Sequence, residues 1–182
     1  MNKAIGMVEY KTVSAGISAA DLMIKSADTE VIQASTVCPG KYIIIVSGAL
    51  SAVNASVEAA RTALPEQLID SFVLGNPAEE IFPALYGGAP VENAKALGVL
   101  ETFSAPSIIV AADAAAKAAD VSLIEIRIAR GMCGKSYMLL TGEVAAVTAA
   151  IDIAKNAVEN GGMLLDSAVI PNPDKELWNS IL

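Results

Sequence analysis

The sequence contains no histidine, only two cysteines and few aromatic residues. The lack of histidine removes both the commonest general base and the commonest metal ligand. Two cysteines do not make a disulfide framework in a chain of 182 residues, so in a reducing compartment they would be free thiols or metal ligands. A lone thiol would have to act without an obvious base. An enzyme is therefore the least favoured class.

Positive charge is also scarce. A net charge of -8 leaves no basic surface to neutralise phosphates, which argues against nucleic acid and anionic membranes as partners. The longest aliphatic run, Ile43 to Val46, is far too short to span a bilayer. The N-terminal stretch MNKAIGMVEYK lacks the apolar core of a signal peptide. We expect a soluble cytoplasmic protein, with ample apolar content for a packed core.

The sequence is an internal duplication. AIGMVE, from Ala4, matches ALGVLE, from Ala96, at an offset of 92, and GKYIIIVSG, from Gly40, matches GKSYMLLTG at an offset of 94. LIDSFVLGNP, from Leu68, matches LLDSAVIPNP at an offset of 96. The first two extra residues of the second copy enter in the cysteine-containing turn, and insertions confined to turns indicate two copies of one fold.

Each copy shows alternating strand and helix patterns. Apolar residues recur at helical spacing in three segments: Ile17, Ala20, Ile24 and Ala27; Val53, Val57, Ala60 and Leu64; Val147, Ile151, Ala154 and Val158. Ile124, Ile126 and Ile128 alternate with polar residues, as expected of a strand with one buried face. Further strands are predicted at residues 5–8, 31–37, 42–46 and 68–74. The order strand, helix, strand, strand, helix, strand predicts two α+β domains of the ferredoxin-like, split βαβ type.

The repeats predict three segments: a first domain at 1–77, a linker at 78–95 and a second domain at 96–182. The linker is rich in proline and glycine, and a short helix is possible at 78–85. Glu9 and Glu101 occupy equivalent positions at the ends of the first strands. We expect both to have the same local partner, and we do not interpret them as catalytic.

The two cysteines lie in equivalent turns, TVCPGK with Cys38 and RGMCGK with Cys133. The first turn joins two predicted strands, so Cys38 lies at the tip of a hairpin. A cysteine is often a small buried hydrophobe, but a hairpin tip is usually exposed, which argues against a buried role for Cys38. Cys133 is open between a packed or exposed free thiol and a role beside Cys38. Neither Gly-Lys pair is a phosphate-binding loop, because a strand follows it rather than a helix.

These motifs, in this order and repeated, resemble the tandem class of bacterial microcompartment shell proteins, in which one chain holds two shell domains. The resemblance covers almost the whole chain. It implies a homotrimer shaped like a flat pseudo-hexagon, which tiles with other shell proteins around an enclosed pathway. It also implies that Lys25 and Lys117 lie along the tile edge. The hairpin tips would meet at a central pore lined by Cys38, Pro39, Gly131, Met132 and Cys133.

The CPGK turn resembles the subclass found in propanediol-utilisation-type shells. There, the first-repeat cysteines of three chains hold a 4Fe-4S cluster, which implies Cys38 as the metal ligand and an encapsulated or cytosolic redox partner. The chemistry agrees with this, because a cluster needs several thiolate ligands. One hairpin thiol cannot provide them, whereas three copies related by a three-fold axis can. The sequence departs from the family at Cys133, in a turn expected to lack a thiol, and at Asn172, where an arginine is usual.

Two alternatives to this interpretation are carried forward. One is a shell trimer with an empty, metabolite-conducting pore. The other is a trimeric ferredoxin-like regulator that binds a small effector between subunits. A regulator would stay a discrete trimer, whereas a shell tile should form sheets or tubes through edge contacts that do not close.

Overall fold

A computed structural model describes residues 4–89, 91 and 94–181; residues 90, 92 and 93 of the linker segment lie outside the described residues. The first repeat contains β1 (Ala4–Tyr10), α1 (Val13–Ser26), β2 (Thr29–Val37), β3 (Lys41–Gly48), α2 (Leu50–Ala63) and β4 (Leu68–Leu74). A short helix, α3 (Ile81–Tyr86), follows. The second repeat contains β5 (Ala96–Thr102), α4 (Ala105–Ala118), β6 (Val121–Ile128), β7 (Ser136–Gly142), α5 (Val144–Glu159) and β8 (Leu164–Ile170), and α6 (Lys175–Ile181) ends the described chain.

The two repeats form equivalent antiparallel sheets. Their strand orders are β2-β3-β1-β4 and β6-β7-β5-β8, so the first strand of each repeat lies in the interior of its sheet. The registers agree as well, since Gly6 pairs with Val46 in the first sheet and Gly98 pairs with Leu140 in the second. The predicted ferredoxin-like α+β fold is therefore confirmed, whereas α6 had no counterpart in the sequence prediction.

The chain divides into two compact units whose boundaries differ from those of the repeats. The first unit comprises the chain up to Pro77 together with Ser104–Ser107 and Ala129–Lys135. The second unit comprises Ala78–Phe103, Ile108–Ile128 and the chain from Ser136 onward. The first unit is thus completed by two short segments of the second repeat, while the second unit contains no segment of the first.

Most of the predicted helical stripes face the cores of their own repeats. Val53, Val57 and Ala60 of α2 are fully buried, and α5 buries all four residues of its predicted stripe. In the first core, the hydroxyl of Tyr10 donates to the carbonyl of Ala60 at 2.7 Å, and burial raises the pKa of Tyr10 to about 12. Among the described residues, every helix is too short or too polar to cross a membrane.

Helix α1 departs from this arrangement. Its buried residues are Gly16, Ala19 and Met23, whereas Ile17 and Ile24 of the predicted stripe are 54% and 51% exposed. Ala27 lies just beyond the helix. The helix is present as predicted, but a second apolar face points away from the core of its own unit.

Two carboxylates of the first unit bind the start of α4. Glu9 and Asp70 are register partners on β1 and β4. Oε2 of the buried Glu9 accepts the backbone N–H of Ala105 at 3.0 Å, and Oδ2 of Asp70 accepts the hydroxyls of Ser104 and Ser107. A carboxylate is the favoured partner of the free N–H groups and positive dipole of a helix N-terminus. These bonds tether Ser104–Ser107 to the first unit.

Glu9 and Glu101 do not share the same local partner. Glu9 also accepts from the ammonium of Lys41 at 3.0 Å. No donor to the Glu101 side chain is found within residues 4–89, 91 and 94–181. The expectation that duplication gives both glutamates one partner was wrong, because the partners of Glu9 include a segment from the other repeat.

Close approach of helix and strand requires glycine at one position in each sheet. A Cβ on Gly6 would lie 2.7 Å from methyl groups of both Val53 and Val57 on α2, and a Cβ on Gly98 would lie 3.0 Å from side-chain carbons of Val147 and Ile151 on α5. Both distances are below normal van der Waals contact. The two glycines allow α2 and α5 to lie directly on β1 and β5.

We predict that Gly6→Ala lowers the free energy of unfolding by about 1–3 kcal/mol, because the added methyl overpacks the contact between β1 and α2. Urea denaturation followed by circular dichroism measures the change. Gly88→Ala is the matched control, since no atom lies within 4 Å of its added Cβ. Equal stabilities of the two variants would contradict this account of the packing.

Glu9 should also impose an unusual pH dependence on stability. Burial raises the pKa of Glu9, and the attraction of Lys41 only partly offsets this. The folded state therefore keeps the Glu9 proton at higher pH than the unfolded state does. The contribution of Glu9 to the free energy of unfolding should be fully present below the ordinary glutamate pKa of about 4.3 and decline as the pH rises.

The measurement is the difference in unfolding free energy between the wild type and Glu9→Gln at several pH values and one chain concentration. The glutamine does not titrate, so the difference isolates the proton on Glu9 from all other carboxyls. We expect the difference to shrink with rising pH. A difference that grows with pH would show instead that pairing with Lys41 outweighs burial and lowers the pKa of Glu9.

Candidate functional site

The turn between β2 and β3 presents Cys38 at the surface. Val37 and Lys41 are the last register pair of the hairpin, and Gly40 donates its N–H to the carbonyl of Val37 at 2.9 Å. Gly40 has a φ of 106°, a conformation that favours glycine. The Cys38 side chain is exposed, which excludes the interpretation of this thiol as a small buried hydrophobe.

The turn between β6 and β7 presents the second thiol. Lys135 donates its N–H to the carbonyl of Met132 at 3.1 Å, closing the turn. Cys133 is exposed and has a φ of 52°, in the left-handed region that non-glycine residues rarely adopt. Its exposure excludes a packed core thiol, so Cys133 is either an exposed free thiol or a participant in a shared site.

The two turns contact each other within the first unit. The N–H of Cys38 donates to the carbonyl of Ala129 at 3.0 Å, and the ammonium of Lys41 donates to the carbonyl of Gly134 at 3.2 Å. A Cβ on Gly134 would lie 2.9 Å from Lys41 Cε and 3.1 Å from Pro39 Cδ. Gly134 therefore allows the second turn to lie directly against the first.

Lys41 connects this pair of turns to the buried carboxylate behind it. Its ammonium bridges Glu9 and the carbonyl of Gly134, and its side chain is only 17% exposed. A buried charge is tolerated when its attraction to a partner and its hydrogen bonds offset desolvation. Lys41 meets this condition with two oxygen partners, and it thereby holds the second turn in place.

The structure brings the predicted pore residues together in these two turns. Pro39 and Gly131 are exposed and Met132 is half-buried, and all three lie in the same unit as both cysteines. The predicted edge lysines make separate contacts. Lys25 pairs with Asp21 at 2.6 Å, and Lys117 pairs at 2.6 Å with Asp113, whose buried side chain also accepts the N–H of Ala78.

A metal site cannot be assembled from the described part of one chain. No group of three or more histidine, cysteine, aspartate or glutamate side chains in that part stands close enough to hold a metal ion. The exposed thiols are nevertheless suitable ligands for iron-sulfur clusters, which are held by cysteine thiolates. A metal centre at these turns would therefore need ligands from more than one copy.

A polar cluster in the second unit escaped the sequence prediction. Arg127 pairs with Glu125 at 2.6 Å and lies 5.4 Å above the ring of Tyr137, whose hydroxyl donates to Glu125 at 2.7 Å. Burial and the bond to Glu125 raise the pKa of Tyr137 to about 12. Glu125 and Arg127 border an open cavity of about 410 Å³. Because its charges neutralise one another, this cluster is a weak candidate for ligand binding.

Comparison with known proteins identifies both repeats. The family model of the BMC domain matches residues 4–77 and again residues 96–173. The chain is 34% identical to the bacterial microcompartment shell protein PduT of Citrobacter freundii, over 100% of this chain and 99% of that protein. It is 29% identical to the carboxysome assembly protein CcmO of Synechococcus elongatus, covering 98% of this chain and 68% of that one.

A solved structure extends the similarity over nearly the whole chain. A microcompartment protein from Desulfitobacterium hafniense superposes with a TM-score of 0.85 at 42% identity, covering 98% of this chain and 99% of that one. The family match spans most of the sequence, and the relatives share both repeats in one chain. The chain therefore belongs to the BMC domain family, as a shell protein of bacterial microcompartments that carries two BMC domains in tandem.

Proposed function

We propose that this shell protein forms a homotrimer that holds a 4Fe-4S cluster on its three-fold axis through Cys38 of each chain. The single observation that carries the proposal is the exposed Cys38 thiol at a hairpin tip, in a chain whose described residues include no complete metal site. The similarity to PduT, another microcompartment shell protein, supports the assembly with other shell components.

The donor set fits this cofactor. Cluster iron is bound by thiolates, and three chains supply three of them at symmetry-equivalent positions. The fourth iron site would then remain for water, a small molecule or a partner protein. When bound, such a cluster supplies one-electron transfer, which suits redox sensing or electron transport across a shell.

The residues behind Cys38 would keep its turn rigid rather than bind the cluster. The Cys38 N–H is already bonded to Ala129, and Lys41 is held between Glu9 and Gly134. Cys133 lies on the adjoining turn and is exposed. Three further thiols would therefore stand near the proposed site, as additional ligands or as bystanders.

Cys38→Ser should abolish the cluster while leaving the trimer intact, because the thiolate is lost but the turn keeps its backbone bonds. The protein is purified without oxygen, and iron, sulfide and visible absorbance are measured beside the trimer mass. The wild type should be brown and contain four iron atoms for every three chains.

Cys133→Ser is the matched control, since it removes the other exposed thiol of the same pair of turns. Retention of colour by this variant assigns the cluster to Cys38 alone. A colourless wild-type trimer, with iron and sulfide supplied during expression, would instead favour the empty metabolite-conducting pore.

We further propose that Lys25 and Lys117 contribute to the edges by which tiles join. Lys25 is 71% exposed in its side chain, and its only ion pair with a described residue is to the exposed Asp21 of its own helix. Lys117 is tied to the buried Asp113 and has less freedom to reach a neighbour. Exposed pairs of this kind contribute little to the stability of the chain itself. Lys25 therefore has the greater freedom to contact another tile.

Lys25→Ala should impair the formation of sheets or tubes at high concentration without changing the trimer mass or the melting temperature. Electron microscopy and light scattering measure the assembly. Lys155→Ala is the control, because it removes another lysine that pairs with a carboxylate of its own helix, Asp152, here three rather than four positions away. A wild type that remains a discrete trimer at all concentrations would favour the small-molecule-binding regulator.

A further inference from the structure

The second unit carries an acidic pair at the position where the first unit binds a helix. Glu101 on β5 and Asp166 on β8 are register partners, as Glu9 and Asp70 are in the first unit. Like charges directly opposite on neighbouring strands destabilise a sheet unless they are compensated. Hydrogen-bond donors would compensate the charge of this pair, and the first unit shows which donors bind the equivalent pair there.

In the first unit these donors come from the start of α4. The Ala105 N–H binds the glutamate, and the hydroxyls of Ser104 and Ser107 bind the aspartate. In the second unit, Asp166 accepts the N–H of its neighbour Ser167 at 2.8 Å, which reproduces the local bond between Asp70 and Ser71. Within the described parts of the chain, no other donor reaches Asp166 or Glu101. The equivalent carboxylates thus accept hydrogen bonds from a helix N-terminus in the first repeat, whereas no described helix N-terminus donates to them in the second.

The matching donors exist at the start of α1. The offset of 92 between the repeats relates Thr12 to Ser104 and Val13 to Ala105. Thr12 is the N-cap of α1, it is exposed, and the first turn of this 14-residue helix contains no acidic residue. The first turn of α1 therefore brings no carboxylate to the positive end of the helix dipole.

The exposed apolar face of α1 also distinguishes this helix from its counterpart α4. Ile17 is 54% exposed, whereas its counterpart in α4, Ile109, is fully buried. Asp21 and Asp113 differ in the same sense, with side chains 63% and 8% exposed. The same helix face is thus buried in α4 and exposed in α1.

We infer that Glu101 and Asp166 of one chain bind the N-terminus of α1 in a second copy of the same chain. Glu101 accepts the N–H of Val13, Asp166 accepts the hydroxyl of Thr12, and the contact covers Ile17. The inference rests on the homotrimer of the proposed function and specifies how its copies join. A second copy fits for two reasons. It supplies a helix N-terminus, whose positive dipole complements the negative charge of the carboxylates, and it supplies the exposed Ile17.

The contact is head-to-tail, because it joins the acidic pair of one copy to a different set of residues, the start of α1, in the next copy. Heterologous contacts of this type form closed rings when the rotation between copies closes. The second unit would receive segment 12–15 of a neighbour where the first unit receives Ser104–Ser107 of its own chain. One difference remains: Ala15 stands where α4 has Ser107, so Asp166 gains one hydroxyl donor instead of two.

The first test is Glu101→Gln with Asp166→Asn, measured by sedimentation over a dilution series. Losing two charge-assisted bonds at every contact should raise the concentration of half-dissociation about tenfold or more. Asp152→Asn with Glu159→Gln is the matched control, since it removes the same number of carboxylates from exposed positions of the second unit. Melting of each variant as a dilute monomer checks that the fold is unchanged.

Mixing two defective chains tests the direction of the contact. Glu101→Arg with Asp166→Arg blocks the acidic pair and leaves α1 intact, whereas Ile17→Asp blocks α1 and leaves the acidic pair intact. Each variant alone should stay monomeric, and the mixture should give a one-to-one complex that cannot close into a ring. A native mass for the arginine variant, or a mixture that remains monomeric, overturns the inference.

The outcomes separate this inference from the proposed function. A colourless trimer that dissociates in Glu101→Gln with Asp166→Asn supports the contact and rejects the cluster. A brown trimer that is insensitive to these substitutions rejects the contact alone. A wild type that is monomeric by itself and binds only a different shell protein overturns the inference and the homotrimer together.

Discussion

The bond between the buried Glu9 carboxylate and the N-terminus of α4 is the constraint on which the first unit depends. Glu9 is excluded from water, so its charge must be compensated by the Ala105 N–H and by Lys41. Lys41 in turn holds the carbonyl of Gly134. One carboxylate therefore links β1, the start of α4 and the turn that carries Cys133.

This arrangement explains why the cysteine turns lie together. A thiol at a hairpin tip has no packing of its own, and its position is set by the backbone of the turn. Here the first turn is held by the bond from Cys38 to Ala129 and the second by Lys41. The result is an exposed surface that carries both thiols and is held by hydrogen bonds, as the proposed site shared between chains would require.

Because of the duplication, equivalent carboxylates occur twice in the chain, but they bind a helix N-terminus in only one of the two units as described. In the first unit, Ser104–Ser107 donates to Glu9 and Asp70, while no described segment does the same for the equivalent Glu101 and Asp166 of the second unit. On α1, Ile17 is exposed, whereas its counterpart in the second repeat, Ile109, is buried. A tandem protein can bury one copy of such a contact inside itself, and it must leave the other copy for a neighbour.

The sequence alone was sufficient for the repeat, the strand order, the hairpin with Cys38 at its tip and most of the helix faces, because periodicity and turn residues are local properties. It predicted the stripe of Ile17 and Ile24 but not its exposure, since spacing cannot tell which of two apolar faces meets the core. It assigned Glu9 and Glu101 the same partner, because identical residues in identical strands look alike. Only the tertiary structure decided that one is buried against a helix and the other is not, since that depends on segments nearly a hundred residues away in the chain.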